Sequence, residues 1–188
     1  VDHLVEADDG VADGGDQVVG GHPARLRPPT RDPGGVPRLL LVHHTPSPAV
    51  QSLLERARDG ATHPDIQGVE LVVRPALAAT AIDVLEADGY LLGTPANFGY
   101  MSGALKHFFD LVYYPCLDAT TGRPYGLYVH GNDDTAGAVR AVATIATGLG
   151  WKLAQPVLEV TGAPDAAALD AAWELGASLA ALLATGVA

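Results

Sequence analysis

The chain has 188 residues, 48% of them apolar, with 22 Gly, 14 Pro and a formal charge of −11. That length fits one domain, or one domain plus a tail, and the acid excess disfavours nucleic-acid backbones and anionic membranes as partners. A single cysteine, Cys116, excludes an intrachain disulfide and a cysteine-cluster metal site.

Residues 1–36 are rich in Gly, Asp and Pro, as in Asp13-Gly14-Gly15-Asp16 and Pro28-Pro29. They read as an extension outside the folded core, with residues 37–188 forming the domain. The acidic start has no basic, apolar leader, so a cytoplasmic location is expected. No stretch reads as the roughly 18 apolar residues that would span a bilayer.

Periodicity begins at Arg38-Leu39-Leu40-Leu41-Val42-His43, whose apolar centre predicts a strand covered on both faces. Ser47 as N-cap and Pro48 at the first helical position open a helix, with Val50, Leu53, Leu54, Ala57 and Ala61 as its apolar stripe. Val69–Val73 predicts a second strand, residues 79–86 a short helix, and Tyr90–Thr94 a third strand. A helix over 102–113 follows, then a strand at Tyr125–His130 and a helix over 135–149 ended by Gly150. Lys152–Val160 gives a fifth strand, interrupted or edged at Pro156, and residues 165–183 a closing helix. The alternation βαβαβαβαβα predicts an α/β fold with parallel crossovers.

Ligands of such sheets collect beyond the carboxyl ends of the strands. Three loops lie there: His44-Thr45-Pro46-Ser47, Pro95 to Ser102, and Gly131-Asn132-Asp133-Asp134. Thr45 and Ser47 bring hydroxyls, and the amides of Ala49, Val50 and Gln51 at the helix start suit an anion. Pro46 and Pro48 each remove a donor. Gly93 and Gly99 permit close backbone approach. No Gly-x-Gly-x-x-Gly or Walker lysine follows the first strand, and no Gly-x-Ser-x-Gly elbow occurs, so a Rossmann site, a P-loop and a hydrolase triad are not supported. His43 and His44 diverge in strand geometry and lack further ligands at metal spacing. Lys106 is placed to pair with Asp110 at i,i+4.

The segment Gly93-Thr94-Pro95-Ala96-Asn97-Phe98-Gly99-Tyr100-Met101-Ser102-Gly103-Ala104-Leu105-Lys106-His107-Phe108-Phe109-Asp110 resembles the signature of the flavodoxin-like NAD(P)H-dependent FMN and quinone reductases. The resemblance implies a flavodoxin-like three-layer sandwich, with a five-stranded parallel sheet in the order 2-1-3-4-5 and helices on both faces. It implies FMN held by Pro95, Ala96, Asn97, Phe98, Gly99 and Tyr100 at the ring. Thr45, Ser47, Ala49, Val50 and Gln51 are then expected around the phosphate, and Gly131 and Asn132 on the other side. It also implies NADH or NADPH as electron donor, a quinone or similar acceptor, no catalytic side chain, and a homodimer or tetramer. Two alternatives stand beside it: a one-electron flavodoxin-type carrier, and a flavodoxin-like scaffold without FMN that acts through protein contacts.

Overall fold

A computed structural model describes residues 35–186 of the chain, so the extension expected over 1–36 lies almost entirely outside the described residues. The elements follow in order as β1 (Arg38–His43), α1 (Pro48–Ala61), β2 (Glu70–Pro75), α2 (Ala81–Glu86), β3 (Gly89–Asn97) and β4 (Tyr100–Met101). Then come α3 (Gly103–Cys116), β5 (Pro124–Gly131), α4 (Ala136–Gly148), β6 (Lys152–Leu153), β7 (Leu158–Thr161) and α5 (Ala166–Thr185).

The continuous apolar run of β1 is explained by its central place. Successive side chains of a strand point to opposite faces. Leu39 and Leu41 enter a cluster with Val50, Leu53, Leu175 and Leu179 from α1 and α5. Leu40 and Val42 enter the other, with Val84 of α2, Leu105 and Phe108 of α3 and Val142 of α4. Two helices thus cover one face and three the other, giving the three layers.

The parallel strands run in the order β2-β1-β3-β5, and β6 and β7 both pair with the outer edge of β5. β6 meets Pro124–Tyr125 and β7 meets Tyr128–Gly131, so together they fill the fifth position. The gap between them contains Pro156, which has no N–H to give the ladder. This is the flavodoxin-like order 2-1-3-4-5, with the last strand in two pieces.

Three details correct the sequence reading. β3 does not end at Thr94 but continues to Asn97 and folds back antiparallel as β4, pairing Ala96 with Met101 and Asn97 with Tyr100. The segment read as a loop is therefore a hairpin. α3 carries Pro115 in its last turn and continues to Cys116. α5 has 20 residues and is long and apolar enough, by length and composition, to cross a membrane. Its inner side is packed in the core, where Ala172, Leu175, Leu179 and Leu183 lie against β1 and α1.

Candidate functional site

At the carboxyl end of β1 the chain turns through 44–47 into α1. His43 Nδ1 and Thr45 Oγ1 lie 2.7 Å apart, which ties the loop back onto the strand. Burial first, then the charges of Arg58 and His44, lower the pKa of His43. Ser47 is the N-cap of α1, and its Oγ accepts from the Val50 amide at 3.4 Å. The Gln51 amide donates to the Ser47 carbonyl at 3.0 Å. The expectation of three open amides is therefore corrected. Helix capping occupies Val50 and Gln51, and of the three only Ala49 has no partner among the described residues.

The middle loop is the hairpin of β3 and β4. Phe98 (φ 51°) and Gly99 (φ 71°) are both left-handed, the pattern of a tight two-residue turn. Such a conformation is strained for a phenylalanine. The Phe98 side chain is fully exposed and that of Tyr100 is 44% exposed, so Phe98 is no core anchor. The turn amides of Phe98 and Gly99 have no partner among the described residues. Below them the hairpin is fixed: the Ser102 amide donates to Thr94 Oγ1 at 3.1 Å, and Ser102 Oγ caps α3 by accepting from Leu105 N at 3.2 Å. Pro95 is buried and stands in register with His130 of β5. Lys106 reaches Asp110 at 2.5 Å, the expected helix-surface pair.

The third loop leaves β5 at Gly131, whose carbonyl accepts from the Gly162 amide at 2.9 Å. His130 Nε2 lies 2.7 Å from the Gly162 carbonyl. Asp134 Oδ1 accepts from Ala136 N at 2.9 Å at the start of α4, and Thr135 donates to Glu159 at 2.5 Å. Asn132, Asp133 and Asp134 are exposed. A Cβ at Gly131 would stand 2.7 Å from the Asp134 carbonyl oxygen, so the loop closes over a residue without a side chain.

The structure thus brings the three predicted loops to one edge of the sheet, and it adds a residue the sequence reading passed over. The hairpin tip rests on the first turn of α4, where a Cβ on Gly137 would lie 1.9 Å from the Gly99 carbonyl oxygen. A glycine inside a helix costs about 1 kcal/mol relative to alanine, and that cost was the available signal of a close approach. Two buried polar atoms, His44 Nδ1 at the head of the first loop and the Tyr128 hydroxyl below Gly93, have no hydrogen-bond partner among the described residues. The arrangement offers open amides and exposed aromatic surface at the hairpin, fitting a planar ligand with a polar edge. At the first loop it offers two hydroxyls and the amides of Thr45, Ser47 and Ala49, which have no partner among the described residues.

A sequence profile of the NADPH-dependent FMN reductase family matches residues 59–163, more than half of the chain. The chain belongs to this family. A flavodoxin from Aquifex aeolicus is 33% identical over 73 residues, 39% of this chain and 38% of that protein's length. Among solved structures, a flavodoxin from the domain Archaea superposes with a TM-score of 0.67 at 15% identity, covering 78% of this chain and 98% of that one. A flavodoxin, WrbA-like protein from Agrobacterium tumefaciens gives 0.64 at 16% identity, covering 79% and 98%. The flavodiiron core of Flv1 from Synechocystis gives 0.69 at 14% identity over 80% of this chain, which spans 37% of that larger chain. These likenesses establish the flavodoxin-like fold.

Proposed function

We propose that the protein binds FMN at the carboxyl edge of its sheet and uses it to pass electrons from NADH or NADPH to a quinone or similar small acceptor. The observation that carries the reading is the hairpin Asn97–Tyr100. It presents two amides that have no partner among the described residues and an exposed Phe98 on a clamped support, and it lies inside the stretch matched to the FMN reductase family. The donor set fits a flavin. Pro95, Ala96, Asn97, Phe98, Gly99 and Tyr100 would hold the ring edge, Gly131 and Asn132 would flank it, and Thr45, Ser47 and Ala49 would meet the phosphate.

Bound FMN supplies the hydride and electron chemistry, and the protein supplies position and electrostatics. The hairpin amides orient the polar edge of the ring. Asn132 is short and exposed and leaves one side open for donor and acceptor to visit in turn. No side chain is required as acid or base. Assembly as a homodimer or tetramer is part of the same proposal.

A second reading, a one-electron carrier, is favoured by the charge of −11 and by Asp133 and Asp134 beside the site, which suit docking to a basic redox partner. Anaerobic mixing of the FMN-loaded protein with NADH or NADPH separates the two. Prompt bleaching of the oxidised-flavin absorbance without a separate reductase is expected. Bleaching by dithionite but by neither nucleotide would remove the reductase reading in favour of the carrier.

A further inference from the structure

We propose that the basic, proline-rich segment 23–31 of this chain docks across the outer surface of α2 and α3. The chain thereby covers its own apolar face, and the occupant is the same molecule rather than a second copy.

The face is apolar where a surface is ordinarily polar. Leu77, Ile82 and Leu111 are each at least half exposed, and Tyr114 is 37% exposed. Single exposed apolar side chains are ordinary, whereas a cluster marks an interaction surface. Helix geometry gathers these four. An added Cβ on Gly148 of α4 would lie 2.5 Å from the Tyr113 hydroxyl, so that flank of α3 faces α4. Leu111 is two residues back, about 200° around the helix, and so on the flank toward α2. Cys116 Sγ lies 3.6 Å from the Ala81 carbonyl oxygen, which brings the end of α3 against the start of α2. Leu77 and Ile82 flank that start.

The rim is acidic. Asp110 and Asp118 are exposed on α3 and just after it, and Asp88 follows α2. Of the nearby cations, Lys106 is engaged by Asp110 and Arg74 by Asp83. Residues 35–186 hold 15 acidic and eight basic side chains, so two copies meeting by this face would set like charges together. Segment 23–31, Pro-Ala-Arg-Leu-Arg-Pro-Pro-Thr-Arg, is the complement: it has Arg25, Arg27, Arg31 and Leu26, and no acid. Arginine both pairs with carboxylates and stacks on aromatic rings such as that of Tyr114. Pro23, Pro28 and Pro29 have fixed φ, so less freedom is lost on docking.

The segment is also tethered at the right place. Arg38 N donates to Asp88 Oδ2 at 2.6 Å. Arg123, in the loop after α3, donates to the carbonyls of Val84, Leu85 and Ala87 at the end of α2. The start of β1, the end of α2 and the loop behind α3 therefore meet, and Pro37, Asp88 and Arg123 line one cleft of about 390 Å³ there. The chain from Pro23 to Val36 can span roughly 45 Å, about twice the length of the 14-residue α3.

The test is paramagnetic broadening in the full chain carrying a nitroxide on Thr30→Cys. The wild-type chain, whose Cys116 is buried, is the labelling control. Loss of the amide signals of Leu77, Ile82, Leu111 and Tyr114 is expected, with those of Glu55 and Asp170 in the opposite helical layer retained. Adding Arg25→Glu, Arg27→Glu and Arg31→Glu together should restore the lost signals without altering the dispersion of the rest. Absent or uniform broadening overturns the proposal, as does loss that persists in the charge-reversed chain. Broadening of the same signals in isotope-labelled wild-type protein mixed with spin-labelled chain also overturns it, because the docked segment would then belong to a second copy.

Discussion

The carbonyl oxygen of Gly99, at the tip of the hairpin, occupies the space in which a side chain on Gly137 would begin: a Cβ there would lie 1.9 Å away. The hairpin and the first turn of α4, which follows the third loop, are therefore in backbone contact, and their spacing is set by the absence of a methyl group. Gly137→Ala must push the hairpin away, because a backbone atom has no rotamer to escape into. We expect at least tenfold weaker flavin binding with an unchanged circular dichroism spectrum. Unchanged affinity in a folded variant would show that the hairpin does not position the ligand.

The same logic, applied to the core, predicts a stability effect without a site effect. Gly60 of α1 and Gly176 of α5 face each other's helix: added Cβ atoms would lie 2.0 Å from the Trp173 carbonyl oxygen and 1.9 Å from that of Ala57. Alanine at either position separates two helices that cover one whole face of the sheet. Each substitution should cost about 1–3 kcal/mol or more, read as a lower urea midpoint. A midpoint equal to or above wild type would mean that the two helices are not this close.

Tyr128 should behave in the opposite way. Its ring lies over Gly93, where an added Cβ would meet the phenol at 2.0 Å, and its buried hydroxyl has no partner among the described residues. Burial raises its pKa, keeping it a neutral phenol. Because an unsatisfied buried hydroxyl carries a desolvation cost of about 1–3 kcal/mol, Tyr128→Phe should be neutral or stabilising in denaturant titration. A loss above about 1 kcal/mol would reveal a partner for this hydroxyl.

His43 gives a pH dependence of known sign. Burial, followed by Arg58 and His44, lowers its pKa in the folded protein below the ordinary 6.5. The unfolded chain then takes up the proton more readily, so stability present above 6.5 is lost as pH falls through 6.5 toward the folded-state value. His43→Gln should reduce the fall in unfolding free energy between about pH 7.5 and pH 5. An identical fall in the variant would assign the effect to other groups.

Much of the fold was legible because its signals are local. The run Leu39–Val42 suits a strand covered on both faces, and β3, α3 and β5 follow the periodicity of their own residues. Even the break at Pro156 was visible, since proline cannot serve a ladder. What escaped was set by contacts distant in sequence. Extension of β3 to Asn97 depends on pairing with Tyr100 and Met101, and the role of Gly137 depends on a carbonyl 38 positions earlier. Arg123 was likewise passed over. Its guanidinium donates to the carbonyls of Val84, Leu85 and Ala87 and to the Tyr90 hydroxyl, thereby closing the end of α2. At the site, residue types placed the three loops at the carboxyl ends of their strands, but not the bonds that engage the Val50 and Gln51 amides with Ser47.

The central claim, that the flavin sits across the three loops at the carboxyl edge of the sheet, is tested most directly by amide chemical-shift mapping during titration with FMN. The account predicts that the largest perturbations fall at Phe98, Gly99 and Tyr100, with Gly131, Asn132, the Gly137 turn and the Thr45–Ala49 loop moving alongside. Perturbations centred at the opposite edge of the sheet, near Arg123 and Gly186, or none at saturating FMN, would contradict it.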